Sequence, residues 1–207
     1  VIPVVDALGP HVRVSIDTRK PAVAEGAISA GATLVNDISA SLDDVVAAAG
    51  PGVGWVAMHM QGEPATMQHQ PRYVDVVEEV HSHLVERAER ATARGIEEVW
   101  IDPGIGFGKS ATHNLALLRH IDRFVGTGFP VLVATSRKAF VGRIHAASDQ
   151  GRRPPADDTE PAPVDDRLEG SVATGVWALL HGVGMIRVHD VRATIHAAKV
   201  VAGRIEG

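Results

Sequence analysis

Val99 to Ser110 reads VWIDPGIGFGKS, and this stretch decides how the rest of the chain is read. A short apolar run, Val99-Trp100-Ile101, delivers one carboxylate, Asp102, and breaks at once on Pro103. Glycines follow at alternate positions, 104, 106 and 108, with Phe107 between the last two and Lys109-Ser110 closing the stretch. This is the signature of a buried strand that presents an acid at its tip and opens into a close-fitting loop, because glycine lets a backbone approach a ligand. Five more apolar runs end on or beside polar residues: Val12–Asp17, Thr33–Ile38, Gly54–Met60, Pro130–Ser136 and Met185–Asp190. Most are continuously apolar, the pattern of parallel strands covered on both faces.

Helical patterns lie between the runs: Pro21–Ala30, Leu42–Ala49, Tyr73–Arg94, His113–Val125, Leu168–His181 and Val191–Ile205. The first five stop against a glycine, as helices do when the next residue must turn left-handed. Strict strand–helix alternation predicts an α/β fold with a parallel sheet. Two architectures accommodate six such units: an open doubly wound sheet, or a (β/α)8 TIM barrel represented by about six of its eight units. The chain begins without Met, at Val1-Ile2-Pro3-Val4-Val5, like the tail of an element already under way. That favours an N-terminally truncated barrel, one domain over 1–207. Ala146–Arg167 is polar and Pro-rich and reads as a long loop before the next helix.

At 207 residues the chain can build one full core. A net charge of −5 leaves no global basic field for nucleic acid. The absence of cysteine removes disulfides, thiolate metal sites and a Cys nucleophile, and fits a reducing, cytoplasmic setting. No apolar run reaches membrane-spanning length.

Ligands of both candidate architectures bind at the carboxyl ends of the strands. Those tips carry Asp17, Asn36 and Asp37, His59, Asp102, Ser136-Arg137-Lys138, and Arg187, His189 and Asp190. A single acid at a strand end is ordinarily a helix cap or a surface pair. A polar residue at every tip of otherwise apolar strands points instead to a ligand rim. Asp17 suits an NH-rich ligand, Asn36 the mixed edge of a heterocycle, and Asp102 two adjacent N–H groups. Arg137-Lys138 and Arg187-x-His189 suit a phosphate or carboxylate, although His189 beside Asp190 also reads as a hydrogen-bonded structural histidine.

GIGFGKS is not a P-loop, because Pro103 stands where that motif needs its first glycine. The 11 histidines show no HExxH or similar spacing. His81 and His83 read as surface residues pointing apart, and Met58, Met60 and Met67 as core.

Taken together the motifs resemble dihydropteroate synthase. They are Ser15-Ile16-Asp17-Thr18; Val35-Asn36-Asp37-Ile38-Ser39; Met58-His59-Met60-Gln61-Gly62 with Pro64 and Thr66-Met67-Gln68; Asp102 through Lys109 with His113-Asn114-Leu115; Ser136-Arg137-Lys138; Arg167-Leu168-Glu169-Gly170-Ser171; and Arg187-Val188-His189-Asp190-Val191. The resemblance implies a TIM-barrel enzyme of folate synthesis. Such enzymes join p-aminobenzoate to 6-hydroxymethyl-7,8-dihydropterin pyrophosphate with Mg²⁺, as cytoplasmic homodimers, and are sulfonamide targets. It assigns Asp17, Asn36, Ile38, Met58, Asp102 and Lys138 to the pterin, and Arg187 and His189 to pyrophosphate. Phe107 and Lys138 fall to p-aminobenzoate, and Asp17, Asp102, Lys138 and Arg187 to catalysis. It places no metal ligand in this chain, expecting one in the family's first two β/α units, which are absent here. Ala139 and Ala134 depart from the family's usual Ser and Gly. A pterin- or folate-binding barrel without this chemistry is the competing reading; a nucleotide hydrolase is a second, which Pro103 disfavours.

Overall fold

The computed structural model describes residues 1–151 and 159–203. Four strands, β1 (Ser15–Asp17), β2 (Leu34–Asp37), β3 (Gly54–Met58) and β4 (Val99–Asp102), form one parallel sheet in chain order. Two more, β5 (Leu132–Val133) and β6 (Met185–Ile186), pair in parallel with each other. A parallel bridge from Ile101 to Val131 carries β4 into β5. Each strand therefore neighbours the next one in sequence. A doubly wound sheet reverses its order at a switch point, and this one does not, so the winding is that of a barrel. The described strand pairs leave the ring open between β6 and β1. Arg187, just past β6, nevertheless reaches Asp17 at the end of β1, 2.9 Å away.

The helices are α1 (Ile2–Leu8), α2 (Pro21–Ser29), α3 (Asp43–Ala49), α4 (Val76–Ala93), α5 (Ala111–Arg119), α6 (Ile121–Val125), α7 (Ala139–Asp149), α8 (Leu168–Leu180) and α9 (Val191–Val201). The longest, α4, starts at Asp75, whose carboxylate accepts from the amides of Val77 and Glu78 at 3.0 and 3.1 Å. It buries Val77, Val80, Leu84, Ala88 and Ala91, a single stripe at helical spacing. These join Trp55, Ile101, Phe124 and Val133 in the main core. Leu84 is fully enclosed, and truncating it to Ala costs about 2–5 kcal/mol.

Register fixes the rim. Asp17 lies opposite Asn36 across β1–β2, and Met58 opposite Asp102 across β3–β4. The strand expected at Val99–Asp102 is observed with those bounds. Those expected at Pro130–Ser136 and Met185–Asp190 shrink to two residues each. Their distal halves leave the sheet to make a joint, where the Ser136 hydroxyl accepts from the His189 amide at 3.2 Å.

Other expectations need correction. The helix read over His113–Val125 breaks at His120 into α5 and α6. Ile2–Leu8 is a helix of its own. Helix α7 has no counterpart in the sequence reading, and its last turn, Ala146–Asp149, takes the start of the supposed Pro-rich loop. Residues 152–158 of that loop, like Ile205 at the expected end of the last helix, lie outside the described residues. The loop's end is anchored rather than loose. Arg167 is buried and donates to the carbonyls of Ala162 and Arg137, at 2.8 and 2.9 Å.

Candidate active site

Asn36 is buried at the tip of β2, and its Oδ1 has no hydrogen-bond partner. An unmatched buried acceptor costs about 1–3 kcal/mol, so it marks a place built for a donor from outside the chain. Asp102 is buried on β4 and accepts the Gly104 amide at 2.8 Å. Burial pushes its carboxyl above the usual range, and the charge of Lys138 is the largest force opposing that. Lys138 answers with the opposite shift. Burial pulls its ammonium down to about 8, while Asp102 pulls it back up.

Lys138 sits at the start of α7 and donates to the Ile105 carbonyl. Its Nζ stands 4.5 Å from the centroid of the Phe107 ring. This cation–π contact, worth about 0.5–2 kcal/mol, places Phe107 beside the lysine that faces Asp102. Met58 is buried next to Asp102 on β3, and Ile38 is half-buried just past β2. Arg187 pairs with Asp17, but both side chains are more than two-fifths exposed, at 55% and 42%. Solvent screens such a pair to about 0–1 kcal/mol, so an anion can displace Asp17 at little cost. The structure thus gathers Asp17, Asn36, Met58, Asp102, Phe107, Lys138 and Arg187 at one rim, with His189 adjoining on the β6 side.

Several tip residues turn out to have other work. Asp37 is fully buried and consumed by its own turn. It accepts from Ser39, Ser41, Leu42 and the Trp55 indole. Arg137 is not a free cation. It donates twice to Asp190, at 3.0 and 2.6 Å. His189 takes Ser136, not Asp190, as its partner, its Nδ1 standing 3.0 Å from Oγ. Ser136 therefore orients the histidine, a role that residue type alone did not reveal. His81 and His83 are half-buried and make ring contacts, His81 to Phe124 and His83 to His59 at 5.1 Å. The expected surface placement is wrong for both.

The glycine loop is built by exclusion. Gly104 and Gly108 have φ of 67° and 61°, and a Cβ on either would overlap a backbone carbonyl, of His59 and of Gln61. The loop is pressed against the end of β3, which sets Phe107 in place. Among the described residues no three His, Cys, Asp or Glu side chains come together around a point that could hold a metal. Among them, too, no helix is long and apolar enough to cross a membrane.

A parallel barrel-wound sheet with buried acceptors and cations at its carboxyl rim is the setting of a small-molecule site, and the class comes from the family model described as pterin binding enzyme, which matches residues 1–189. Dihydropteroate synthase of Mycobacterium leprae is 40% identical over 97% of this chain and 70% of its own length. The Thermus thermophilus enzyme, solved in complex with 6HMPPP and with 4-aminobenzoate, is 41% identical at a TM-score of 0.84. It is covered for 78% and 80% of its length, and this chain for 100%. Dihydropteroate synthase of Yersinia pestis, in a sulfonamide drug complex, is 37% identical over 98% of this chain and 71% of that one, with a TM-score of 0.83. The chain belongs to the dihydropteroate synthase family.

Proposed function

We propose that this chain condenses 6-hydroxymethyl-7,8-dihydropterin pyrophosphate with p-aminobenzoate to give 7,8-dihydropteroate and pyrophosphate. The observation that carries the reading is the unpartnered Asn36 Oδ1 at the end of β2, on the same strand-end rim as the buried carboxylate of Asp102 at the end of β4. A pterin's amino-pyrimidine edge offers the adjacent N–H donors that such acceptors need. Asp102 takes two of them, Asn36 another, and Asp17 lies one strand further along the same rim. Met58 and Ile38 wall the ring, and the Lys138 stem covers it.

In the reaction the C–O bond to pyrophosphate breaks and a C–N bond to the arylamine forms, with the amine proton released. Negative charge grows on the departing oxygen, and Arg187 and His189 stand where it accumulates. The exocyclic methylene becomes electron-poor, and the Asp17 and Asp102 carboxylates stabilise it through space. Phe107 and Lys138 hold the arylamine in line with that carbon, so that approach and orientation are settled before bond-making. No covalent intermediate on the protein is required. The family implies Mg²⁺. The described residues do not form a carboxylate or imidazole cluster for it, and no step here runs through the ion.

A pterin-binding barrel without catalysis would not need Arg187 held in a weak, displaceable pair beside His189. The test is pyrophosphate release on mixing both substrates with the protein, with Lys138→Ala alongside. Turnover by the parent, and a rise of about tenfold or more in KM for both substrates in the variant, is the expected result. Pterin binding without pyrophosphate release would support the non-catalytic reading. Trp177, Leu180, Val191 and Ile195 expose apolar surface on α8 and α9, and we assign that face to a homodimer contact. Sedimentation analysis of Leu180→Glu tests it. The cysteine-free composition suits the cytoplasm, which is the proposed compartment.

A further inference from the structure

Lys109 lies beneath the site, 2% exposed, with no ligand-facing role in the chemistry above. Its Nζ is surrounded by four acceptors: the carbonyls of Gly104 and Phe107 at 3.0 Å each, the His59 carbonyl at 3.2 Å, and His59 Nδ1 at 3.0 Å. Three of these are carbonyls, which can only accept, so an ammonium with three N–H donors serves them all where a neutral amine with two would leave one unmet. The cage therefore selects the charged form, against the burial that pulls the group down to about 7.

His59 must then be neutral with its Nδ1 lone pair facing the lysine. Burial, the Lys109 charge and His83 all push it that way, to about 3. The cage also ties three things together: the end of β3 through His59, the turn that holds Asp102 through Gly104, and the loop segment that carries Phe107. Gly104 is at once a donor to Asp102 through its amide and an acceptor from Lys109 through its carbonyl. Tyr73 closes the other side, donating to the Gly108 carbonyl at 2.9 Å.

We propose that Lys109 is a positioning residue for both substrates. It fixes the glycine loop, and so Phe107, by direct bonds, and through the Gly104 peptide it links its buried positive charge to Asp102. The inference rests on the proposed pterin role of Asp102. The charged groups around the pair are Lys138 at the start of α7 and Arg187 past β6, and the titratable ones His59 and His83, from the β3 end and α4, which burial pushes toward the neutral form. Of these, Lys138 acts on Asp102 most strongly and bonds the loop at Ile105, while Lys109 bonds it at Gly104 and Phe107.

The two effects separate experimentally. Lys109→Met removes the charge and the bonds; Lys109→Gln removes the charge but keeps a donor for the carbonyls. Binding of 6-hydroxymethyl-7,8-dihydropterin by calorimetry between pH 6 and 9, and KM for p-aminobenzoate, are measured for parent and variants. In both variants the acid limb of pterin binding should move up by about one pH unit, because Asp102 takes a proton more easily. The p-aminobenzoate KM should rise about tenfold in Lys109→Met and be largely restored in Lys109→Gln. A loss of thermal stability with the pH profile and KM unmoved would overturn the proposal and leave Lys109 a packing residue. If Lys109→Met fails to fold, the pH profile of Lys109→Gln alone decides. Failure of the parent to bind the pterin at all would instead overturn the functional reading on which this rests.

Discussion

Two buried carboxylates end neighbouring parts of the same sheet, and they could hardly be treated more differently. Asp37, at the end of β2, accepts from two hydroxyl- or indole-bearing side chains and three backbone amides of its own surroundings. Asp102, at the end of β4, is given one amide and is faced by cations. The first is a finished structure and the second an unfinished one. Saturation of a buried polar group identifies a stabilising element, while incompleteness identifies a place that a ligand must complete. The same contrast separates two arginines. Arg137 is locked by both carboxylate oxygens of Asp190, and Arg187 rests in a single solvent-screened contact with Asp17.

The contrast breaks if the two acids exchange behaviours. Asp102→Asn should weaken pterin binding by about 1000-fold, since two charge-assisted bonds are lost and a donor now faces donors. Its unfolding temperature should stay near the parent's. Unchanged affinity by titration would end the assignment. Asp37→Ala should act the other way, costing about 3 kcal/mol or more of stability through stranded buried donors, a drop of about 10 °C in unfolding temperature.

Acid adds a smaller, graded effect. Unfolded His59 takes a proton near 6.5, and the buried ring resists until about 3. Between those values the unfolded state binds more protons, so stability falls as pH falls, by about 1.4 kcal/mol per pH unit from this group. Denaturant titrations at pH 6 and pH 4 should show it, and His59→Gln should flatten it. The arginines give the smallest readout. Arg187→Met should raise KM for the pterin pyrophosphate about tenfold, whereas Arg137→Met should leave it within about threefold and change stability little, because its pair with Asp190 is screened by solvent. Equal kinetic effects would erase the distinction.

The strand tips were legible because continuous apolar runs met hard stops. Pro103 ends β4 so abruptly that its bounds could be read directly. Residue types at the rim were legible too, and the resemblance to the family rests on them. What could not be read was the state of each group. The partner of Arg137 lies 53 residues away, and nothing local marks Asp190 as taken or Asn36 as unpartnered. Helix α7 is hidden in the sequence because Gly142 stands in its first half and a Pro-rich tail follows. The structure explains that glycine. A Cβ there would press on the Arg167 guanidinium and the Ala162 carbonyl, which hold the returning chain against the helix.

The contact of the glycine loop with the end of β3 bears on how this site can change over generations. Any side chain at 104 or 108 collides with a main-chain oxygen, so neither of the glycines that set Phe107 in place has a small mutational step open to it. Variation that reshapes the proposed p-aminobenzoate pocket is expected at side chains neighbouring the loop rather than at the glycines themselves. Sterics freeze these two glycines, and adaptation has room only around them.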